Sequence, residues 1–404
     1  MIKLLKSIGP GIVVAATGIG AGDMIAATVG GAKYGYMIIW AVILGGILKY
    51  VLNEGVGRWQ LKTKTTLTDG WIKHLPKIFS WYFIVYLLLW SFVVFGALMA
   101  ATGLAAHALT GIFSVKIWAA IHSAIAIIIV LVGSYKHFEN IMKLLIALMF
   151  IVVVISSLLL KADVGLIFNH IINPSLPEGS VRYALAIIGG VGGSVTILSY
   201  GYWIKEKNWT GNKFLPKMKL DLAVAYILTT IFGISIIIIS ADLKPDIVNG
   251  SGIVIGLADK FGELTGDAGR WIFLFGFWGA VFSSMVGVWQ GVPYIFADFV
   301  KTFFKEEDQK GADLKNTKEY IVFMILMATL PFVLLLLGKP VWLIVIYSVI
   351  GSLFMPFLAF TLLWLNNSKA LMKRQKNTII INIFLIINLL LFLYLGIVEI
   401  LKYL

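Results

Sequence analysis

Long apolar segments alternate with short polar connections along the whole chain. Eleven of these segments are long enough to be membrane-spanning helices, since a helix needs about 20 residues to cross the hydrocarbon core of a bilayer. They cover approximately residues 8–32, 36–52, 80–106, 116–133, 139–160, 183–201, 220–241, 270–297, 319–338, 341–365 and 377–401. No connection is long enough for a separate soluble domain. The pattern therefore predicts an all-α integral membrane protein with one transmembrane domain over residues 1–404.

Composition supports a membrane protein. Hydrophobic residues make up 60% of the 404 positions, the mean hydropathy is +0.94, and only 13% of residues are charged. A soluble domain is roughly one quarter charged, so lipid must cover much of this apolar surface. The chain has no cysteine, which excludes disulfides and thiolate metal sites. No catalytic Ser/His/Asp set, HExxH motif or phosphate loop is present, so we do not expect an enzyme.

The distribution of basic residues predicts the orientation. With eleven spans and the N-terminus in the cytoplasm, 24 of the 33 Lys and Arg residues fall on the cytoplasmic side or at the adjoining span ends. Cytoplasmic loops are enriched in Lys and Arg, so we expect a multi-pass protein of the cell membrane with its C-terminus outside. Because the basic residues lie in short connections facing anionic lipid, the net charge of +13 does not indicate nucleic-acid binding.

Two predicted spans are interrupted by glycines, at Gly18–Asp23 and at Gly189–Thr196. Each glycine costs about 1 kcal/mol in a helix interior, and unwound backbone is tolerated at membrane depth only where it lines a buried cavity. The two segments are five spans apart, and paired interruptions in matching halves indicate a substrate site at the membrane midplane. The alternative is that the glycines only allow close helix packing, since Gly18/Gly22 and Gly189/Gly193 have that spacing.

Asp23 follows the first glycine cluster and is the one carboxylate near the middle of a predicted span. A carboxylate inside a bilayer is costly and is a functional candidate. It could equally cap the second half of span 1, and the two roles are compatible. By contrast, Glu54 and Arg58 have the spacing of a surface ion pair. Asp221 and Asp298 lie near predicted span ends, where water solvates a carboxylate at little cost.

Several motifs resemble those of one transporter family. They are Gly9-Pro10 at the start of span 1, Gly30–Tyr36 at its end, Tyr135–Met149 at span 5, the pair Ser283-Ser284 in span 8, and Ser352–Phe357 in span 10. With these motifs the sequence resembles the Nramp (natural resistance-associated macrophage protein) family of divalent-metal transporters. The resemblance implies a LeuT-like fold and alternating access. It also implies two inverted five-helix repeats, at about 8–160 and 183–365, and an extra helix at about 377–401.

The metal-site residues of that family are not retained. In the span 1 motif the metal-binding aspartate corresponds to Gly20, and the asparagine corresponds to Asp23. In span 6 the family contributes an alanine carbonyl and a methionine sulfur, whose positions here hold Gly190 and Gly193. The span 10 glutamine corresponds to Ser348. The resemblance therefore implies a scaffold for metal transport with a different set of ligands.

Two hypotheses about the cargo follow. The first is a divalent metal site formed by Asp23 and by the backbone at Gly20 and Gly190, within a substrate site made of Thr17, Gly20, Asp23, Gly190, Gly193, Ser194, Thr196 and Ser348. Since all of these ligands are oxygens, this site favours a hard cation such as Mg²⁺ over Mn²⁺ or Fe²⁺.

The second hypothesis is a Na⁺- or H⁺-coupled transporter of a small organic solute such as an amino acid or carboxylate. Here the positive ends of the second halves of spans 1 and 6 would face the solute, and a Na⁺ site would form from Thr17, Ser283 and Ser284. In both cases we expect a secondary transporter without a resident cofactor. Its partners would be membrane lipid and the transported solute or ion, and we expect a monomer.

Overall fold

The computed structural model describes residues 9–190, 193–243, 253–305 and 313–401, and every regular element in these ranges is a helix. The first half contains α1 (Pro10–Gly18), α2 (Ala21–Tyr34), α3 (Ile39–Thr63), α4 (Leu67–His74), α5 (Lys77–Thr110), α6 (Val115–Val132), α7 (Tyr135–Leu159), α8 (Val164–Ile172) and α9 (Val181–Gly190). The second half contains α10 (Ser199–Glu206), α11 (Leu215–Ser240), α12 (Ile253–Phe304), α13 (Lys318–Thr329), α14 (Pro340–Ser352), α15 (Phe354–Asn366), α16 (Lys369–Met372) and α17 (Ile379–Leu401).

Every predicted span coincides with a helix or with a broken pair of helices. Span 1 is α1 plus α2, span 6 is α9 plus α10, and span 10 is α14 plus α15. By length and hydropathy alone, eight helical stretches of the described residues qualify as membrane spans, or nine if the pair bent by 119° at α16 and α17 counts as one. The number is below eleven because α1, α14 and α15 have only 9, 13 and 13 residues.

The outer helices expose large apolar side chains. Leu89 on α5, Val132 on α6, Leu158 on α7 and Ile379 on α17 are exposed by 65%, 82%, 72% and 80%. Water would strongly disfavour such a surface, whereas lipid tails solvate it. The protein is therefore a multi-pass membrane protein whose periphery is as apolar as its interior.

The two broken spans lie at the centre of the bundle. Helix α1 packs against α7, α11 and α12, and α9 packs against α2, α3 and α14. All residues of α1 except Ile12 are buried. Helix α17, in contrast, packs mainly on α15 and α3 at the edge. Since the glycine-interrupted segments are surrounded by other helices, their free backbone groups are shielded from lipid, as the membrane requires.

The second span is longer than the predicted segment 36–52, because α3 continues to Thr63. The polar residues that seemed to end the span are satisfied inside the bundle. Asn53 Nδ2 donates to Tyr226 Oη at 3.1 Å, Arg58 Nε donates to Glu54 Oε1 at 3.0 Å, and Arg58 also donates to the Asn377 side chain at 2.6 Å. The Glu54–Arg58 pair has the expected spacing, but it is only 3% exposed and is not a surface pair.

The connections that the charge pattern assigned to the cytoplasmic side lie together at one end of the bundle. Four bonds link them: Gly9 to Asp221, Thr66 to Asp298, Arg58 to the Gln375 carbonyl, and Lys315 to the Gly133 carbonyl. We call this the basic end, formed by residues 9–11, 58–77, 133–143, 200–221, 294–305, 313–318 and 366–377. That this end faces the cytoplasm remains a prediction from the charge pattern.

Asp221 anchors the start of α1 at the basic end. Its carboxylate accepts hydrogen bonds from the Gly9 and Gly11 N–H groups at 2.9 and 2.7 Å and from Tyr200 Oη at 3.0 Å. Asp221 is only 1% exposed, so the expectation of a solvated carboxylate at a span end was wrong. The reason is that the first N–H groups of a helix lack intrahelical partners, and here Asp221 on α11 supplies the acceptor that caps α1.

We expect Asp221→Ala to destabilise the protein by about 2–4 kcal/mol, because it leaves buried donors without acceptors. Asp221→Asn should cost less, since one acceptor oxygen remains. Thermal unfolding of detergent-purified protein, followed by tryptophan fluorescence, measures the effect. The control is Asp163→Ala, which removes an exposed cap from the Leu166 N–H and should cost about 1 kcal/mol or less. Equal losses for the two alanine variants would contradict the anchoring role.

Candidate functional site

The break in span 1 consists of Ile19 and Gly20, between the end of α1 at Gly18 and the start of α2 at Ala21. Two carbonyls near the end of α1 are satisfied by side chains of α12. Ser283 Oγ donates to the Ala16 carbonyl at 3.0 Å, and Ser284 Oγ donates to the Thr17 carbonyl at 2.7 Å. The structure thus brings together the three residues of the predicted Na⁺ site, Thr17, Ser283 and Ser284, with both serine hydroxyls bonded to the backbone of α1.

The break in span 6 follows Gly190, the last residue of α9; residues 191–192 lie outside the described ranges. Gly193 has a positive φ of 82°, a conformation that favours glycine. A Cβ at this position would also lie 2.3 Å from Thr196 Oγ1. The chain then resumes as a 3₁₀ turn, Val195–Leu198, which leads into α10. Both conformation and space therefore require glycine at position 193.

Lys49 lies beside the break in span 6, a position that its place in the sequence did not predict. Its side chain is fully buried on α3. The ammonium donates to the Gly189 carbonyl at 2.7 Å and also to the Gly193 carbonyl. Because Lys49 is near the end of predicted span 2, it was counted with the basic residues of the loops. Its apolar neighbours, Ile47-Leu48 and Val51-Leu52, were the signal of an intramembrane charge.

A cavity of about 30 Å³ separates the two breaks. Six residues singled out from the sequence line it: Thr17, Gly190, Gly193, Ser194, Thr196 and Ser284. Gly18 and Gly189 add backbone, and the opposite wall consists of Trp90, Val94, Leu98, Val288, Tyr347 and Gly351. The structure therefore joins spans 1 and 6 around one space, with spans 3, 8 and 10 completing its walls.

Three other predicted residues have different positions. Gly20 is not part of the cavity wall, but it lies against span 8, since a Cβ there would be 2.5 Å from Ser284 Oγ. Asp23 is the third residue of α2, so it follows the break directly. Ser348 is on α14, next to the cavity residue Tyr347. The side chains of Asp23 and Ser348 lie outside the described part of the structure.

Two polar groups at the cavity lack a hydrogen-bond partner among the described residues. They are Thr17 Oγ1 and Trp90 Nε1, and their side chains are 4% and 1% exposed. An unsatisfied buried polar group costs about 1–3 kcal/mol. Helix α12 approaches Thr17 closely, since a Cβ at Gly287 would lie 2.0 Å from Thr17 Oγ1. The orphaned groups indicate that water or a bound solute completes this site.

The size and chemistry of the cavity fit an ion. A volume of about 30 Å³ corresponds to roughly two water molecules or one monatomic ion, since one water needs about 10–15 Å³ by the same measure. Among the described residues that line the cavity, none is Met, His, Cys, Asp or Glu. Groups of three or more potential metal-binding His, Cys, Asp or Glu residues are also absent from the described ranges. The polar lining consists of hydroxyls, carbonyls and the Trp90 N–H.

Comparison with known proteins decides the family. The model described as natural resistance-associated macrophage protein-like matches residues 11–402. The chain belongs to the Nramp family. A curated relative, an uncharacterized protein of Pasteurella multocida, is 29% identical over 143 residues, which are 34% of this chain and 32% of that protein. The matched segment thus spans about one third of this relative.

Solved structures of Nramp and other transporters share the fold. The Eremococcus coleocola manganese transporter has a TM-score of 0.77 at 16% identity, covering 97% of this chain and 86% of that chain. MhsT in complex with L-phenylalanine has a TM-score of 0.59 at 15% identity, covering 96% and 97%. Mhp1, a nucleobase-cation-symport-1 transporter, has a TM-score of 0.59 at 16% identity, covering 92% and 80%. These similarities confirm the predicted LeuT-like fold.

The departure of this Nramp chain from the family motif has a structural counterpart at Gly20. The resemblance assigns the metal-binding aspartate to this position. Here the backbone of Gly20 is so close to span 8 that a Cβ would collide with Ser284 Oγ. Ser284 in turn holds the Thr17 carbonyl. An aspartate at position 20 would therefore require Ser284 to move away from the carbonyl that it satisfies.

Two buried carboxylates, Asp298 and Glu139, join helices at the basic end of this Nramp protein. Asp298 on α12 accepts hydrogen bonds from Thr66 Oγ1 at 2.6 Å, from Tyr202 Oη at 2.7 Å and from Thr68 Oγ1. Glu139 pairs with Lys207 at 2.7 Å and with Lys143. Asp298 is fully buried, so the expectation that water solvates it was wrong. These bonds tie the second half of span 6 to its neighbours.

Because the chain has no cysteine, single-cysteine labelling can test whether the bonds of Asp298 close a path from the basic end to the cavity. We expect a cysteine at the cavity residue Thr196 to react slowly with a charged methanethiosulfonate added from the basic end. Replacing Asp298 by Asn and Tyr202 by Phe should speed this reaction at least tenfold, because it weakens the bonds that hold α10 to α12. Labelling rates in oriented membrane vesicles provide the measurement.

The matched control is a cysteine at Lys373, which is exposed at the basic end. It should react rapidly whether or not the Asp298 and Tyr202 substitutions are present. The closure hypothesis fails if Lys373→Cys is labelled rapidly but the Asp298→Asn and Tyr202→Phe substitutions leave the labelling rate of Thr196→Cys unchanged. The bonds of Asp298 would then not close this path.

Proposed function

We propose that the protein is a secondary transporter that moves a divalent metal cation across the membrane by alternating access. The observation that carries the proposal is the cavity of about 30 Å³ between the broken halves of spans 1 and 6. Interrupted helices at matching positions are typical of midplane substrate sites. Membership of the Nramp family, matched over residues 11–402, supports a metal as the cargo.

The ligand chemistry favours a hard cation, with Mg²⁺ preferred over Mn²⁺ or Fe²⁺. The hydroxyls and carbonyls of Thr17, Gly190, Ser194 and Thr196 are oxygen ligands, which suit Mg²⁺, whereas sulfur and imidazole favour softer transition metals. Mg²⁺ also retains water when it binds, and a cavity of about 30 Å³ has room for about one water beside the ion. Such a water would serve the orphaned Thr17 hydroxyl or the Trp90 N–H. Asp23, at the first turn of α2, would supply the negative charge, with Ser348 as a further oxygen.

The cavity size supports an ion over an organic solute. Even the smallest amino acid has five non-hydrogen atoms, which is more than a space of roughly two water molecules accommodates. The similarity to MhsT and Mhp1 extends to the fold alone at 15% and 16% identity. An organic cargo would require the walls at Trp90 and Tyr347 to separate.

The coupling ion is proposed to be Na⁺ or a proton. For Na⁺, the site would use the oxygens of Thr17, Ser283 and Ser284, and the two serines bond the α1 carbonyls of Ala16 and Thr17. In this arrangement the ion replaces two hydrogen bonds by coordination to the same oxygens. Occupancy would thus fix α1 against α12.

We expect purified protein in liposomes to take up Mg²⁺, and Asp23→Asn to reduce the initial rate at least tenfold. The reason is the loss of the only carboxylate assigned to the site. A Mg²⁺-sensitive dye inside the liposomes measures uptake, with and without gradients of Na⁺ or protons. Parallel arms contain Mn²⁺, read by calcein quenching, and radiolabelled glycine. The control is Asp242→Asn, an exposed carboxylate, which should leave uptake unchanged.

Each arm tests a different part of the proposal. Faster uptake of Mn²⁺ than of Mg²⁺ would overturn the preference for a hard cation. Uptake of glycine without uptake of either metal would overturn the metal cargo itself. Full Mg²⁺ uptake by Asp23→Asn would remove Asp23 from the site.

A further inference from the structure

Lys49 places a positive charge inside the bundle. The residue lies within α3, its side chain is 0% exposed, and its neighbours Leu48, Val51 and Leu52 are also buried. A lysine in such surroundings is costly, and intramembrane charges are retained where they serve a function. The question is which function requires a charge at this position.

The ammonium of Lys49 reaches the carbonyls that the break in span 6 leaves open. It donates to the Gly189 carbonyl at 2.7 Å and to the Gly193 carbonyl. Both glycines line the cavity. Gly189 is also in the last turn of α9, where the helix dipole is negative and favours a cation. The ammonium thus engages two backbone carbonyls of residues that border the cavity, although Lys49 itself is not part of its wall.

Satisfying a helix break does not by itself require a charge. In span 1 the equivalent problem is solved by two neutral hydroxyls, since Ser283 and Ser284 donate to the carbonyls of Ala16 and Thr17. In span 6 the donor is an ammonium. A longer neutral donor such as glutamine would offer an N–H without burying a charge. The contrast between the two breaks indicates that the charge of Lys49 has its own role.

We propose that Lys49 is a specificity-determining residue: its ammonium is a tethered cation that occupies the carbonyl end of the span 6 break and limits the binding of divalent cations in the cavity. This inference rests on the proposed function only in assuming that a cation binds there. A free cation then uses the remaining oxygens, those of Thr17, Gly190, Ser194 and Thr196, while the Gly189 and Gly193 carbonyls remain with Lys49. The arrangement selects against ions that need both sets of oxygens.

The test compares divalent-cation binding by the wild type with that by neutral and charged variants. Lys49→Met keeps the length of the side chain without its charge, and Lys49→Gln keeps a hydrogen-bond donor without the charge. Lys49→Arg retains the charge. The control is Lys62→Met, which removes a charge from the same helix near its end at Thr63. Mn²⁺ binding is measured by electron paramagnetic resonance on purified protein, and Mg²⁺ binding by competition with Mn²⁺.

We expect Lys49→Met and Lys49→Gln to bind Mn²⁺ at least tenfold more tightly than the wild type, with Lys49→Arg and Lys62→Met within twofold of it. The neutral variants should also melt at a lower temperature than the wild type and regain stability when Mg²⁺ is added, because the ion then satisfies the carbonyls. Unchanged or weaker binding by folded Lys49→Gln would overturn the proposal. A neutral variant that is unstable and not restored by divalent cations would also overturn it.

The two proposals fail in different ways. If the wild type neither binds nor transports a divalent cation but the neutral variants bind one, the role of Lys49 stands and the proposed cargo is wrong. If the wild type transports Mg²⁺ and the neutral variants bind metal no more tightly than it does, the cargo stands and Lys49 is structural.

Discussion

A helix break frees backbone N–H and C=O groups that lipid cannot hydrogen-bond. The rest of this structure depends on which protein groups bond them instead. Hydrocarbon offers no hydrogen bonds, so every open N–H or C=O needs a partner within the protein. At the break in span 1 the partners are hydroxyls of α12, and at the break in span 6 the described partner is the ammonium of Lys49 on α3. Helices α3 and α12 must therefore pack directly against the broken spans, which fixes the cavity between them.

The same requirement shapes the basic end. Asp221 caps the start of α1 from α11, and Asp298 holds α10 through Tyr202. Both carboxylates act between helices that would separate in the proposed alternating-access cycle. A short-range hydrogen bond suits this purpose, because it holds one conformation firmly and costs little to exchange for water when the path opens. The buried polar groups at the basic end would thus hold the closed conformation and still allow it to open, whereas apolar packing offers no such exchange with water.

Hydropathy and glycine spacing predicted much of this architecture, but they missed interactions between distant segments. The broken spans and their residues Thr17, Gly190 and Gly193 were visible in the sequence, because glycine clusters and long apolar segments are local signals. The end of α3 was misplaced since a window average treats Glu54 and Arg58 as solvated, whereas each has a partner inside the bundle. Lys49 was missed for the same reason: the two carbonyls that it is described to bond, at Gly189 and Gly193, are 140 and 144 residues away along the chain.

Charge at the cavity distinguishes this protein from the motif of its family. A carboxylate at position 20 is replaced by glycine, whose backbone lies against Ser284, and a carboxylate appears instead at position 23. At the span 6 side, Lys49 contributes an ammonium. Together these changes shift the balance at the cavity from ligand charge toward backbone and hydroxyl dipoles. A divalent cation held in this way would be bound less tightly, since neutral oxygens replace hydration less completely than carboxylates do.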